Sequence, residues 1–148
     1  MFTCTTNSPE ETADLADKLG QKIREGTVLC LEGDLGAGKT LFVQSLARTL
    51  GVEGEVTSPT FNLMNIYEGI CPIYHFDLYR ITSFEDLYSC GFFDYLGGDG
   101  IVLIEWSENF SDYLPDNTVF VTFSRGSREN ERIIEISPFE TLQSPECV

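Results

Sequence analysis

The chain has 148 residues, enough for one compact domain over 1–148 with a sizeable core. Its 24 acidic and 9 basic residues give a formal charge of −15. Such a surface repels a nucleic-acid backbone and suits a basic protein partner. No apolar run reaches bilayer-spanning length, and MFTCTTNSPEET has neither the basic start nor the apolar stretch of a signal peptide. The five cysteines are scattered, with no Cys-x-x-Cys pair. That argues against a zinc site or a disulfide framework and fits a reducing cytoplasm.

The first element in chain order is a helix in NSPEETADLADKLGQKIREG. Ser8 suits the N-cap, Pro9 the first helical position and Glu11 the capping box. Leu15, Leu19 and Ile23 form an apolar stripe, and Gly26 can end the helix in a left-handed conformation. TVLCLE reads as a buried strand. LEGDLGAGKT follows, and a second helix begins near Lys39, with Phe42, Leu46 and Leu50 on one face and Gly51 closing it. TFNLMNIYEG and CPIYHFDLYRI read as two strands joined by a turn at Gly69 and Pro72. SFEDLYSCG is a short helix capped by Ser83 and stopped by Gly91. GIVLIEW is another buried strand, and TVFVTFS with ERIIEIS forms a C-terminal β-hairpin. The tail after about residue 138 reads as loose. Strands alternating with helices predict a single α/β domain whose mixed, mainly parallel sheet is flanked by helices on both faces.

LEGDLGAGKT carries the strongest chemical signal. Gly33, four intervening residues, then Gly38, Lys39 and Thr40 give the phosphate-cradling spacing of P-loop NTPases, between a strand and a helix as that motif requires. The main chain from Gly33 through Asp34, Leu35, Gly36, Ala37 and Gly38 to Lys39, Thr40 and Leu41 can converge its N–H groups on phosphate oxygens. The helix start adds partial positive charge. Lys39 would reach the β- and γ-phosphates, and the Thr40 hydroxyl would ligate Mg²⁺. The absence of an Asn-Lys-x-Asp stretch favours ATP over GTP.

Three further segments attach to this loop. Glu105 ends IVLIE and is either the metal-associated carboxylate that such NTPases place at a strand end or an ordinary surface Glu. Trp106 either packs against the site or fills the core. In IYHFDLYR an extended chain puts His75, Asp77 and Tyr79 on one face and Tyr74, Phe76 and Leu78 on the other. Asp77 is a candidate to orient the attacking water. His75, the single histidine, reads first as structural and only second as a general base. In TSPTF, Thr57, Ser58 and Thr60 around Pro59 form either a γ-phosphate-sensing loop or a simple turn. Arg125, Arg128 and Arg132 form either a small basic patch or a solvated hairpin.

Together GDLGAGKT, TSPTF, HFDLYR and IEWSE resemble, in order and spacing, the TsaE (YjeE) family, the bacterial ATPase of tRNA threonylcarbamoyladenosine synthesis. The resemblance runs from the first helix to the C-terminal hairpin. It implies slow ATP hydrolysis that depends on TsaD and on its companion TsaB, with tRNA met only through that complex. It also implies roles for Lys39 and Thr40 on phosphate and Mg²⁺, for Glu105 at the metal, for Asp77 in hydrolysis, for Thr60 in a switch-like loop, and for Trp106 beside Glu105. Two rivals remain from the residues alone. A P-loop small-molecule or nucleoside kinase would need a cationic lid, and the chain has six arginines with no Arg-rich insertion. A nucleotide-dependent adaptor would use the same carboxylates without useful hydrolysis.

Overall fold

The computed structural model describes residues 2–33, 38–54, 56 and 63–137. Seven strands build one sheet: β1 (Phe2–Thr6), β2 (Val28–Gly33), β3 (Met64–Glu68), β4 (Pro72–Asp77), β5 (Ile101–Glu105), β6 (Val119–Arg125) and β7 (Arg132–Ser137). Their spatial order is β1-β7-β6-β2-β5-β4-β3. The four central strands, β6, β2, β5 and β4, run parallel, and the outer strands join antiparallel. The expected C-terminal hairpin is β6 with β7.

Helices cover both faces. α1 (Pro9–Gly20) and α2 (Lys39–Thr49) cover one, over Leu29, Leu31, Leu103 and Val121. α3 (Phe84–Ser89) and two 3-10 helices, Phe92–Asp94 and Glu108–Tyr113, cover the other, over Cys30, Phe76, Val102 and Ile104. Odd and even positions of β2 and β5 therefore enter different cores, as the two-residue period of a strand demands. This double burial explains why VLCLE and IVLIE read as continuous apolar runs. Burial pushes the Cys30 thiol up to about 12, so it stays protonated within its core.

The caps follow the sequence closely. Ser8 Oγ accepts from the Glu11 N–H at 3.2 Å, and Glu11 Oε1 accepts from the Asn7 N–H at 3.0 Å. Ser83 Oγ accepts from the Asp86 N–H at 3.1 Å, which starts α3. Three readings need correction. α1 ends at Gly20 with Gln21 as C-cap, not at Gly26. Gly26 does have positive φ, but it turns the chain into β2 and donates its N–H to Gly100 O. Ile23 is buried beyond the helix rather than on it. β1 was not legible, because an edge strand of FTCTT buries only Cys4 and Thr6, with Thr6 hydrogen-bonded to Thr12 at 2.7 Å. Cys30, Cys71 and Cys90 are free thiols, whereas Cys4 is disulfide-bonded, a departure from a fully reduced chain. Among the described residues no helix is long and apolar enough to cross a membrane.

Candidate nucleotide site

β2 ends between two parallel neighbours, β5 on one side and β6 on the other. The chain leaves β2 toward the β3–β4 edge, returns through β5, and then crosses to β6. The carboxyl ends of the strands open a crevice at such a switch point. Gly33 stands at the end of β2, opposite Phe123 of β6, with φ 135. A Cβ there would collide with the Phe123 carbonyl oxygen. Gly38 caps α2 in the left-handed conformation at φ 100. Phe42 packs edge-to-face on Phe123 at 5.1 Å and fixes the first turns of α2 against the sheet.

That placement points Lys39 inward. Its side chain is only 8% exposed. Nζ donates to Gly33 O at 2.8 Å and lies 4.6 Å from the centre of the Trp106 ring. Carbonyl and ring quadrupole both favour the ammonium, but neither neutralises it. Trp106 reaches this position through a φ of 62, a strained value for a bulky residue. Tyr79 then packs its ring on Trp106 at 5.1 Å.

Residue parity brings the acidic groups to the same place. Glu105, Asp77 and His75 project from the α2 face of the sheet, the face of Leu103 and Ile73. Asp77 is the register partner of Glu105 across the parallel β4–β5 ladder. His75 is 1% exposed, and its Nε2 lies 2.7 Å from Glu105 Oε2. Its Nδ1 is buried with no hydrogen-bond partner among the described residues. An imidazole nitrogen this close to a carboxylate oxygen carries the proton, so Nε2–H donates to Glu105 Oε2.

Burial is the main cause raising the Asp77 carboxyl above the usual carboxylate range. The Tyr79 N–H bonded to Oδ1 lowers it, Glu105 raises it, and His75 and Lys39 lower it. On the opposite face, burial and Glu108 raise Glu32. The raised Asp77 value fixes a sign. Between the ordinary and the raised value, the folded chain holds this proton more tightly than the unfolded chain, so its contribution to stability declines as pH rises through that window. Asp77→Asn keeps the acceptor for the Tyr79 N–H and removes the charge. It should raise the Tm of the ligand-free protein at pH 7, and the gain over wild type should shrink as pH falls toward 4; calorimetry across that range measures it.

The structure thus gathers Gly33, Gly38, Lys39, Asp77, Glu105 and Trp106. Thr40 lies exposed in the first turn of α2, and Leu41 is half-buried beside it. Asp34, Leu35, Gly36 and Ala37, and the TSPTF residues Thr57, Ser58 and Thr60, lie outside the described residues. Sequence reasoning missed two participants, the His75 contact with Glu105 and the Tyr79 ring behind Trp106. Placing His-x-Asp and the terminal Glu on adjacent parallel strands would have found the first. In the hairpin, half-buried Arg132 donates to the Glu129 and Glu131 carbonyls.

A family model described as "Threonylcarbamoyl adenosine biosynthesis protein TsaE" matches residues 6–134. The chain belongs to the TsaE family. It is 40% identical over 129 residues to the tRNA threonylcarbamoyladenosine biosynthesis protein TsaE of Treponema pallidum, covering 85% of this chain and 96% of that one. The TsaE protein of Nostoc sp. is 43% identical over 135 residues, covering 88% of this chain and 82% of the relative. The crystal structure of Bacillus subtilis YdiB superposes with a TM-score of 0.72 at 34% identity, covering 90% of this chain and 82% of that one. The mixed α/β sheet is therefore shared with a solved relative, and this TsaE-family chain carries the P-loop spacing within the matched residues.

Proposed function

We propose that this chain binds ATP with Mg²⁺ and hydrolyses it slowly, as an accessory subunit in threonylcarbamoyl modification of the tRNA adenosine beside the anticodon, acting through a TsaB–TsaD complex. The observation that carries the reading is the convergence of Lys39, Glu105 and Asp77 at the carboxyl ends of three adjacent parallel strands. A buried ammonium with a carbonyl and a ring for neighbours fits a polyanion, and the α2 N-terminus favours one too.

Lys39 would leave Gly33 O for the β- and γ-phosphate oxygens. Backbone N–H groups of residues 33–41 would bind the remaining phosphate oxygens, and Trp106 and Thr60 would border the nucleotide. The Thr40 hydroxyl and the Glu105 carboxylate would hold Mg²⁺. Among the described residues no group of three or more His, Cys, Asp or Glu could hold a metal alone. That donor set suits Mg²⁺, which takes one or two protein groups together with phosphates and water. When bound, the ion supplies charge neutralisation at the phosphate oxygens. Asp77 keeps Oδ1 on the Tyr79 N–H, so Oδ2 would accept a hydrogen bond from the attacking water. A raised proton affinity suits that task. The cytoplasm is the compartment this role requires. A charge of −15 suits docking on proteins that hold tRNA rather than gripping tRNA directly.

The test is radiolabelled ATP turnover by the chain with and without TsaB–TsaD. Free phosphate, released faster with the partners and sharply reduced by Asp77→Ala, is the expected result. Label on an acceptor would mean a kinase, and release indifferent to Asp77→Ala would mean an adaptor. Affinity for TsaB–TsaD should differ at least about tenfold between the ATP- and ADP-loaded chain, because equal affinity shifts no equilibrium.

A further inference from the structure

The face away from α1 and α2 carries a feature that nucleotide chemistry does not use. Phe84 and Tyr88 on α3, Phe93 beyond it, and Tyr113 at the end of the second 3-10 helix form one aromatic cluster. Phe84 lies 4.7 Å from Tyr113, 5.8 Å from Phe93 and 6.2 Å from Tyr88, measured between ring centres. Tyr88 lies 6.4 Å from Phe93. Phe93 anchors the cluster on the core, and the other three rings face outward: Tyr88 is 68% exposed, Tyr113 46% and Phe84 40%. Single exposed aromatics are ordinary, but a contiguous group of them marks an interaction surface.

Charge says what fits it. Between Arg80 and Arg125 the sequence has no lysine or arginine, while Glu85, Asp86, Asp94, Glu108 and Asp112 stand exposed on or beside the elements that carry the rings. A second copy of this chain would bring the same negative rim and be repelled, as would a nucleic-acid backbone. An apolar centre with an acidic rim matches a protein face with an apolar centre and lysines and arginines around it.

We propose that this aromatic patch is the docking surface for such a basic protein face, and that it reports the state of the nucleotide site. The link is covalent and short. The chain leaving Asp77 passes Tyr79 and enters α3, and the chain leaving Glu105 passes Trp106 and enters the second 3-10 helix. Phe84 and Tyr113 close the loop between these two segments. A shift of Trp106 when Lys39 moves would reach the patch along both arms.

The proposal rests on the partner reading above, so the probe is purified TsaB–TsaD with the ATP-loaded chain, titrated by calorimetry. Tyr88→Ala with Tyr113→Ala strips the rings, and Glu85→Lys with Asp112→Lys reverses the rim. Each pair should weaken binding at least tenfold, while ATP affinity and Tm without partner stay near wild type. Wild-type binding should also weaken as salt rises. Both pairs binding like wild type would overturn the patch and leave the partner reading standing. No binding by the wild-type chain would overturn both. Sedimentation showing a wild-type dimer that the ring variants dissolve, with TsaB–TsaD binding unchanged, would assign the patch to self-association instead.

Discussion

Lys39→Ala should lower affinity for Mg·ATP at least about a hundredfold, roughly 2.7 kcal/mol, while the fold survives. Each charge-assisted hydrogen bond lost from a phosphate is worth about 1.5–3 kcal/mol, and Lys39 is assigned two phosphates. The ligand-free protein loses little. The ammonium is already stripped of most water, held by one carbonyl at 2.8 Å and a ring face at 4.6 Å, so removing it gives up one hydrogen bond and gains relief of a desolvated charge. Tm should therefore move by less than about 4 °C, equivalent to about 1 kcal/mol or less. Lys39→Met separates stem from charge, because methionine can keep apolar contact with Trp106. It should bind ATP as poorly as the alanine variant while holding the wild-type Tm. ADP affinity should fall less than ATP affinity in both, since one assigned contact is to the terminal phosphate. ATP affinity within threefold of wild type in either variant would remove the loop lysine from the site.

Why Lys39 was legible and the contacts of His75 and Tyr79 were not is a matter of range. Strand, glycine loop and helix are local, and the spacing from Gly33 to Thr40 encodes its own geometry. The caps at Ser8 and Ser83 are local too, and they appear as read. Alternation in IYHFDLYR separated Tyr74, Phe76 and Leu78 from His75 and Asp77, and each set lies on its expected side. The failures are non-local. Nothing inside FTCTT says that β7 will offer it an edge. Nothing near residues 108–113 says that Phe110 will be buried under the sheet while Tyr113 meets Phe84 outside it. The left-handed Trp106 is a third case, because a strained φ in a bulky residue is set by the packing around it, not by its own preference.

The pairing of His75 with Glu105 gives the other large effect. The histidine is remote from solvent, its Nε2–H is committed to Oε2 at 2.7 Å, and its second nitrogen has no partner among the described residues. It is thus a positioning residue for the carboxylate, not a base that trades protons with water. His75→Ala should leave a buried cavity and a carboxylate short of one donor, costing about 2 kcal/mol of stability. It should also cut phosphate release by about 10–100-fold, the usual penalty for losing a partner that orients a metal-associated group. His75→Gln can set an amide N–H near the position of Nε2, whereas His75→Leu fills the space without a donor. If the bond to Glu105 matters, Gln should recover most of the rate and Leu should not, even if Leu restores the Tm. The clearest readout lies outside turnover: the Mg²⁺ concentration needed for half-maximal ATP binding should rise about tenfold in the Ala and Leu variants and stay near wild type in Gln. Equal Mg²⁺ dependence in Leu and Gln would reduce His75 to core packing.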